Sequence, residues 1–252
     1  MLNYMIGEVY RVLHKKSLYL FIVGFLILSV GAIVVAQAAG MDAEDLLGGM
    51  EAIFTMIPTI IGGYLFSAFY SDDLNSKNLP TVIGYGITRP VIVISKLLLV
   101  TIFAGIFCAV LPIFLMGVLV VLGVAQPGVI LDIAMKGMYA LSLKSLLEIV
   151  GFSAVAAIVV FGFQRSTFGV VSYLMLALGV VTQIASTILN LKFVTDIIPG
   201  LSNYLLTNIT MNVLMAMMGI GQLLTYCIQF GLYIAVATVL AIVAFKAKEL
   251  EF

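Results

Sequence analysis

Uncharged apolar runs long enough to cross a bilayer constrain this chain more than any other feature. The first run, Ser17–Ala39, holds 23 residues without a charge. As a helix it would extend about 34 Å, which exceeds the hydrocarbon thickness of a membrane. Of the whole chain, 63% is hydrophobic and only 10% is charged, too few charges to cover a water-soluble fold of this apolar content. The sequence therefore predicts an all-α polytopic membrane protein.

Six transmembrane helices fit the pattern as a single domain. The predicted spans are 17–39, 52–70, 97–124, 138–163, 167–190 and 223–245. Residues 1–16 have helical amphipathic spacing, with Glu8 and Arg11 on the polar side, and predict an interfacial elbow helix. Residues 191–222 are broken by Pro199-Gly200. This last segment is either a re-entrant or interfacial hairpin on the outer side or a seventh span.

The distribution of Lys and Arg decides between these alternatives. With six spans, the outer segments hold only Lys136 and Lys192. The inner segments hold Arg11, Lys15, Lys16, Lys77, Arg89, Lys96, Arg165, Lys246 and Lys248. Segments rich in Lys and Arg stay in the cytoplasm, whereas a seventh span would place the last two lysines outside. We therefore expect six spans with both termini cytoplasmic.

The polar segment 71–96, between the second and third spans, is the predicted cytoplasmic loop. Asn78 is a good N-cap for a short helix, and Gly84 and Gly86 are able to end it. Thr88-Arg89-Pro90 then starts the helix of the third span. The apolar side chains of the short helix are Leu79, Val82, Ile83 and Tyr85. Either a protein partner or the lipid interface would cover them.

Two sets of small or polar residues lie inside the predicted spans. Along the second span, an i, i+4 ladder consists of Thr55, Thr59, Gly63 and Ser67. It suits close helix packing or a pore lining equally well. On one face of the fifth span, a polar stripe consists of Gln183, Ser186, Thr187 and Asn190. Polar groups in hydrocarbon need partners, so the stripe predicts contact with a neighbouring helix or with a water-filled cavity.

Lys144 and Glu148 form a predicted intramembrane ion pair in the fourth span. Ionisable residues at membrane depth are functional candidates. This pair falls near one end of the predicted span 138–163, where Lys144 reaches the interface and neutralises its neighbour. The favoured interpretation is structural pairing, and a role in transport is the alternative.

The motifs of several enzyme classes are absent. The sequence contains no G-x-x-x-x-G-K-[ST] phosphate-binding loop, no H-E-x-x-H and no G-x-S-x-G. His14 is the only histidine, and no Cys and His cluster occurs. We therefore predict no enzymatic activity, no metal site and no cofactor bound by this chain. If ATP drives its function, a second polypeptide must hydrolyse the nucleotide.

The predicted loop resembles that of the membrane subunits of ABC-2-type (type V exporter) ABC transporters. In that family an acidic residue after the second span precedes a motif close to Gly-Thr, then apolar residues, Gly-Ile-Ser-Arg and a Lys. The matching residues here are Asp73, Lys77-Asn78, Leu79, Val82-Ile83, Gly86-Ile87-Thr88-Arg89 and Lys96. Lys77-Asn78 departs from the usual Gly-Thr, which leaves the helix cap intact and puts the docking contacts in doubt.

The resemblance implies a homo- or heterodimer of membrane subunits with two separate subunits that bind ATP and Mg. The short helix would be the coupling helix, and its contact residues would be Asp73, Lys77, Asn78, Leu79, Val82, Ile83, Tyr85 and Arg89. The translocation path would form at the dimer interface from the first, second and fifth spans. It would include Thr55, Thr59 and the polar stripe.

Small subunits of this family resemble exporters of amphipathic or antimicrobial peptides, which implies the plasma membrane of a bacterium. A Met-rich surface near the outer side suits such variable cargo. The alternatives are an ABC-2 exporter of a drug, lipid or ion, a secondary transporter and a non-transporting receptor. A secondary transporter would want inverted repeats and buried carboxylates, of which Glu148 is the only intramembrane candidate.

Overall fold

The computed structural model describes residues 2–41, 43–75, 82–123, 129–197, 200–219 and 221–247. Every regular element within these ranges is helical. Five helices are long and apolar enough to cross a membrane, and a bent pair supplies a sixth if it counts as one span. The prediction of an all-α polytopic membrane protein is confirmed at this level.

Twelve α-helices are described in chain order. They are α1 (Leu2–Leu13), α2 (Lys16–Ala38), α3 (Ala43–Ile57), α4 (Gly63–Phe66), α5 (Asp72–Asn75), α6 (Arg89–Val121), α7 (Val129–Phe163), α8 (Ser166–Ala177), α9 (Val180–Leu189), α10 (Lys192–Ile197), α11 (Leu206–Met217) and α12 (Leu223–Ala247). Two π-helical segments, Pro58–Gly62 and Ser67–Ser71, join α3, α4 and α5 into one continuous rod. The second span therefore covers Gly48–Ser71. A 3₁₀ turn, Leu201–Tyr204, precedes α11.

The third span begins earlier than its predicted boundary at residue 97. Thr88 is extended at the N-cap position of α6, and Pro90 occupies the first turn, where a missing N–H costs nothing. The helix starts at Arg89 as the local sequence indicates, and it runs on through Pro112. The segment 71–96 therefore ends as a loop at Thr88, and Lys96 lies inside a helix with only 1% of its surface exposed.

The fifth span, predicted over 167–190, consists of two helices joined at a sharp bend. α8 and α9 meet at an angle of 63°. Gly179 adopts a left-handed φ of 75°, and its N–H bonds to the carbonyl of Leu176 at 3.0 Å. A glycine in this conformation ends α8 at little steric cost, and α9 then starts in a new direction.

The segment between α9 and α12 docks against the bundle. α11 has 12 residues and is about 18 Å long, too short to cross a bilayer. It packs against α7 and α12, and Leu206 fills the space above Gly151. A Cβ atom at that glycine would lie 2.5 Å from the Leu206 side chain. Pro199 and Ile220 lie outside the described residues.

Two serines of α7 satisfy carbonyls that prolines in neighbouring spans leave without their helical donors. Pro58 has no N–H for the carbonyl of Phe54, and the Ser145 hydroxyl lies 2.9 Å from that oxygen. It shares its proton with the Leu141 carbonyl of its own helix, 3.0 Å away. In the same way, Pro112 cannot serve the Cys108 carbonyl, which accepts a hydrogen bond from Ser142. Side chains that replace the lost donor allow proline within a membrane helix.

We expect Ser142→Ala and Ser145→Ala each to lower the free energy of unfolding by about 1–3 kcal/mol, because each leaves a buried carbonyl without its side-chain donor. The measurement is thermal or SDS-induced unfolding of the purified chain in detergent. Ser95→Ala is the matched control, since the buried Ser95 hydroxyl has no partner among the described residues. Equal effects at all three positions would contradict the proline-rescue interpretation.

Candidate functional site

Basic side chains converge on the end of the second span. Arg11 Nη2 donates to the carbonyl oxygen of Ala68 at 3.2 Å, and Lys96 Nζ donates to that of Phe69. Both acceptors lie in the π-helical segment Ser67–Ser71, whose widened turns alter the regular backbone hydrogen-bond pattern of the helix. We call this end of the bundle the basic end. Here α1 and α6 each form a hydrogen bond to the second span, just before the loop that follows it.

α1 packs against the bundle through Met5, Val9 and Val12, and it also buries Glu8, which the sequence placed on the polar side. Arg11 pairs with Glu8 at 2.5 Å, and Glu8 is buried. Leu2, Ile6 and Tyr10 point outward and are more than half exposed. The two charges pair with each other, and Arg11 also donates to the Ala68 carbonyl. The outward apolar face is free to enter lipid.

An ion pair closes the junction between α1, α2 and the second span. Lys15 Nζ contacts Asp72 Oδ2. The neighbouring Asp73, predicted as a coupling residue, belongs to α5, but its side chain lies outside the described residues. Lys77, Asn78 and Leu79 also lie outside the described part of the chain. Their predicted contacts stay predictions.

Three of the predicted apolar residues of the short loop helix are described, and Tyr85 is far more exposed than Val82 and Ile83. Val82 and Ile83 are half-buried and pack against the core of the bundle. Tyr85 has 84% of its surface exposed. Gly86 adopts a φ of 84°, and its N–H bonds to the Ile83 carbonyl at 2.9 Å, which ends the turn as predicted. Tyr85 is therefore the most exposed of these apolar side chains.

Arg89 is engaged within the chain. Its Nη1 donates to the carbonyls of Phe245 at 2.8 Å and Lys246 at 3.1 Å. Its guanidinium carbon also lies 5.4 Å from the centroid of the Phe245 ring. Arg89 therefore caps the C-terminus of α12, a role that the sequence does not reveal because the two residues are far apart in the chain. The loop before α6 and the end of α12 are tied together.

A groove opens beside the Lys15–Asp72 pair. Its volume is about 690 Å³, and the first, second and fifth spans line it. The polar lining residues are Lys15, Ser17, Thr59, Tyr64, Ser67 and Asp72, and the apolar wall includes Phe21, Ile60, Val170 and Leu174. The hydroxyls of Ser17 and Tyr64 form a hydrogen bond at 2.9 Å within this lining. This arrangement can hold an elongated amphipathic ligand with its charged end toward Lys15 and Asp72.

The predicted small-residue ladder only partly enters this groove. Thr59, Gly63 and Ser67 line it, and Thr59 Oγ1 donates to the Ala177 carbonyl at 3.4 Å. Thr55 is exposed and bonds to Ala52 of its own helix at 2.8 Å. It is not among the lining residues. Thr55, the first residue of the ladder, therefore lies outside the groove.

The predicted polar stripe lies beyond the bend, on α9. Ser186 and Thr187 both donate to the carbonyl of Gln183 within that helix, at 2.9 and 2.8 Å. Gln183, Thr187 and Asn190 are exposed. None of the four lines the groove. The structure therefore does not bring the stripe together with Thr59, because the turn at Gly179 carries α9 away from the second span.

The predicted ion pair forms and has a third partner. Lys144 Nζ is 3.1 Å from Glu148 Oε1, and Thr210 Oγ1 of α11 is 3.3 Å from the same oxygen. Glu148 falls near the middle of the apolar segment Met135–Phe163. The helix that carries the pair, α7, begins at Val129, before the predicted start of the span at residue 138. The pair now holds α11 against α7.

Tyr173 is a buried polar residue that sequence analysis missed. Its hydroxyl donates to the carbonyl of Pro58 at 2.8 Å, and its ring stacks on Phe66 with centroids 4.9 Å apart. Gly62 makes room for it: a Cβ atom there would lie 2.0 Å from the hydroxyl oxygen. The only available signal was a tyrosine in an apolar run. Tyr173 joins the fifth span to the second behind the groove.

Neither metal-ligand geometry nor known relatives assign a function. Within the described ranges, no group of three or more His, Cys, Asp or Glu residues is placed to hold a metal ion. No family model matches the sequence, and no curated protein shows significant similarity to it. The functional argument therefore depends on the groove and the basic end.

Proposed function

We propose that the chain is the membrane-spanning permease subunit of an ATP-driven exporter of the ABC-2 type. The observation that carries this proposal is the groove, whose lining comes from the first, second and fifth spans. Those are the spans that the family resemblance assigns to the translocation path. In a dimer, two such grooves facing each other would form a path with polar groups along it.

The basic end is the cytoplasmic end in this proposal. Lys15, Lys16, Arg89, Lys96, Arg165 and Lys246 lie at or near it, whereas Lys136 and Lys192 belong to the opposite end. The positive-inside rule orients the chain accordingly. The Arg89 contact with α12 brings the end of the last span to the side where the first begins. That supports six crossings of the plasma membrane, with the bent α8–α9 pair as the fifth, and two cytoplasmic termini.

Energy enters from a second polypeptide. The sequence has no phosphate-binding loop, so ATP and Mg would bind to partner subunits, two per permease dimer. Tyr85, with 84% of its surface exposed, would dock into such a partner. Arg89 would pass the movement on to α12 through its two backbone contacts.

The cargo that fits the groove is an amphipathic peptide. The lining mixes apolar side chains of all three spans with the hydroxyls of Ser17, Thr59, Tyr64 and Ser67, and the Lys15–Asp72 ion pair borders it. A peptide with an apolar face and charged ends matches all three features. In the alternative, a drug or a lipid would bind in the same groove and be exported through it.

A secondary transporter is the second candidate, and the depth of Glu148 favours it. A buried carboxylate near the middle of a span is the group that ion-coupled transport requires. Its pairing with Lys144 at 3.1 Å counts against that role, since the carboxylate is already neutralised.

Co-purification separates the two candidates. The chain, expressed with the products of neighbouring genes, is expected to carry along a vanadate-sensitive ATPase. Tyr85→Ala should release that ATPase while leaving the chain folded and inserted. Tyr204→Ala, an exposed tyrosine outside the loop, is the matched control and should retain it. If no ATPase co-purifies with the unaltered chain, the ABC proposal fails.

Arg89→Glu and Ile83→Asp extend the same experiment to coupling. Arg89→Glu removes the contacts to α12, and Ile83→Asp places a charge in the half-buried loop helix. Both are expected to disconnect ATP hydrolysis from transport while insertion persists. Unchanged transport in both variants would refute the assignment of this loop as the coupling segment.

A further inference from the structure

The second span ends in a π-helical turn whose backbone register, meaning which carbonyl each N–H bonds to, differs from that of an α-helix. At the end of Ser67–Ser71, the N–H of Asp72 bonds to the carbonyl of Ser67, five residues back. In an α-helix the same N–H would bond to the carbonyl of Ala68, four residues back. The turn therefore holds one extra residue. Such turns are rare and occur frequently at functional sites.

Side chains of two other helices donate to the carbonyls of this turn. Arg11 Nη2 of α1 donates to the Ala68 carbonyl at 3.2 Å, and this is the acceptor that Asp72 would use in the α-helical register. Lys96 Nζ of α6 donates to the next carbonyl, that of Phe69. Buried backbone carbonyls need hydrogen-bond partners. Arg11 thereby favours the π-helical register, because it supplies a donor to the carbonyl from which that register diverts Asp72.

The register of this turn decides where the side chains beyond it point. Asp72 lines the groove and pairs with Lys15 at the N-cap of α2. Ser71 Oγ donates to the carbonyl of Ser166, at the start of α8, at 3.4 Å. An α-helix turns by about 100° per residue. Loss of the extra residue would therefore swing Asp72 away from Lys15 and out of the groove.

We propose that Arg11 is a positioning residue for the groove, because its bond to the Ala68 carbonyl holds the register that places Asp72 beside Lys15. None of the described lining residues belongs to α1, so α1 acts on the groove from outside it. The inference rests on the proposed function where it takes this groove as the path of the cargo. The position of Asp72 is a property of the chain alone.

Cross-linking between positions 15 and 72 reports the register. Cys108→Ala/Cys227→Ala removes both native thiols, and Lys15→Cys/Asp72→Cys then adds the reporting pair. The purified chain in detergent is treated with a short bismaleimide, and the rate of cross-linking is followed. The control pair is Phe21→Cys/Tyr64→Cys, because the two rings stack with centroids 4.6 Å apart and join the same two spans before the π-helical turn.

Two variants that differ only at Arg11 are compared. Glu8→Gln keeps the Arg11 donor and is the reference. Glu8→Gln/Arg11→Met removes that donor without leaving the buried Glu8 carboxylate unpaired. We expect the 15–72 cross-link to form about tenfold more slowly in the double variant, the population shift that the loss of one hydrogen bond produces. The 21–64 cross-link should keep its rate. Glu8→Gln/Arg11→Lys retains a charged donor and should restore most of the 15–72 rate.

Equal 15–72 rates in the reference and the double variant would overturn the proposal. Equal slowing of both cross-links would overturn it as well, because Arg11 would then only hold the first span against the second. If the double variant does not purify as a single species, Glu8→Gln/Arg11→Gln takes its place with the same expected result, since the shorter amide does not reach the Ala68 carbonyl. The measurement needs no ATPase, so its failure leaves the transport proposal intact, and failure of an ATPase to co-purify leaves the register result intact.

Discussion

Gly62→Ala is expected to lower the free energy of unfolding by about 2–5 kcal/mol, through overpacking and the loss of a buried hydrogen bond. The added methyl group would lie 2.0 Å from the Tyr173 hydroxyl and 2.8 Å from Ile149. Tyr173 would have to move and give up its bond to the Pro58 carbonyl. Unfolding of the purified chain in detergent measures the effect.

Two matched variants define what the Gly62 result means. Gly63→Ala adds the same methyl group one residue later, where the nearest side-chain atom, on Leu174, is 3.4 Å away. We expect a near-neutral change there. In a Tyr173→Phe background, Gly62→Ala should cost less, since the hydroxyl no longer occupies the space. If both glycine variants are equally destabilising, helix flexibility rather than the Tyr173 contact explains the effect.

Lys144→Met is expected to destabilise the chain by about 3–5 kcal/mol, because it leaves a buried carboxylate without its compensating charge. The side chains of Lys144 and Glu148 are only 17% and 9% exposed, so water does little to replace the lost partner. The Thr210 hydroxyl is the only other hydrogen-bond partner of Glu148 that the described residues show. We expect α11 to loosen first, since this contact joins it to α7.

The double variant Lys144→Met/Glu148→Leu should recover most of that loss, because an apolar pair needs no compensation. Differential protease sensitivity of the segment before α12 reports whether α11 has detached. Additive costs in the double variant would mean that the two charges do not stabilise each other. Retained ATP-driven transport in the double variant would confirm a structural role for the pair, whereas selective loss of transport would favour an ion-coupled mechanism.

The sequence alone determined the class of the protein and the approximate position of most spans. A helix that crosses the hydrocarbon of a membrane must be long and apolar. Hydrophobic runs in the sequence therefore locate the spans, and the packing of neighbouring helices need not be known. The start of α6 was also predictable from local sequence, since an extended Thr88 followed by Pro90 in the first turn is typical of a helix N-terminus. The bend at Gly179 escaped prediction, because a glycine in an apolar run gives no sign of a left-handed conformation until the helices pack.

Contacts between distant residues were decided only by the tertiary structure. Ser145 serves the carbonyl that Pro58 leaves free, Arg89 caps α12, and Thr210 reaches Glu148. Each depends on which backbone or charged group a neighbouring helix leaves unsatisfied, and a linear pattern does not contain that information. In hydrocarbon such groups must find partners, so helix packing determined how the polar residues were used, whereas apolar length alone determined the spans.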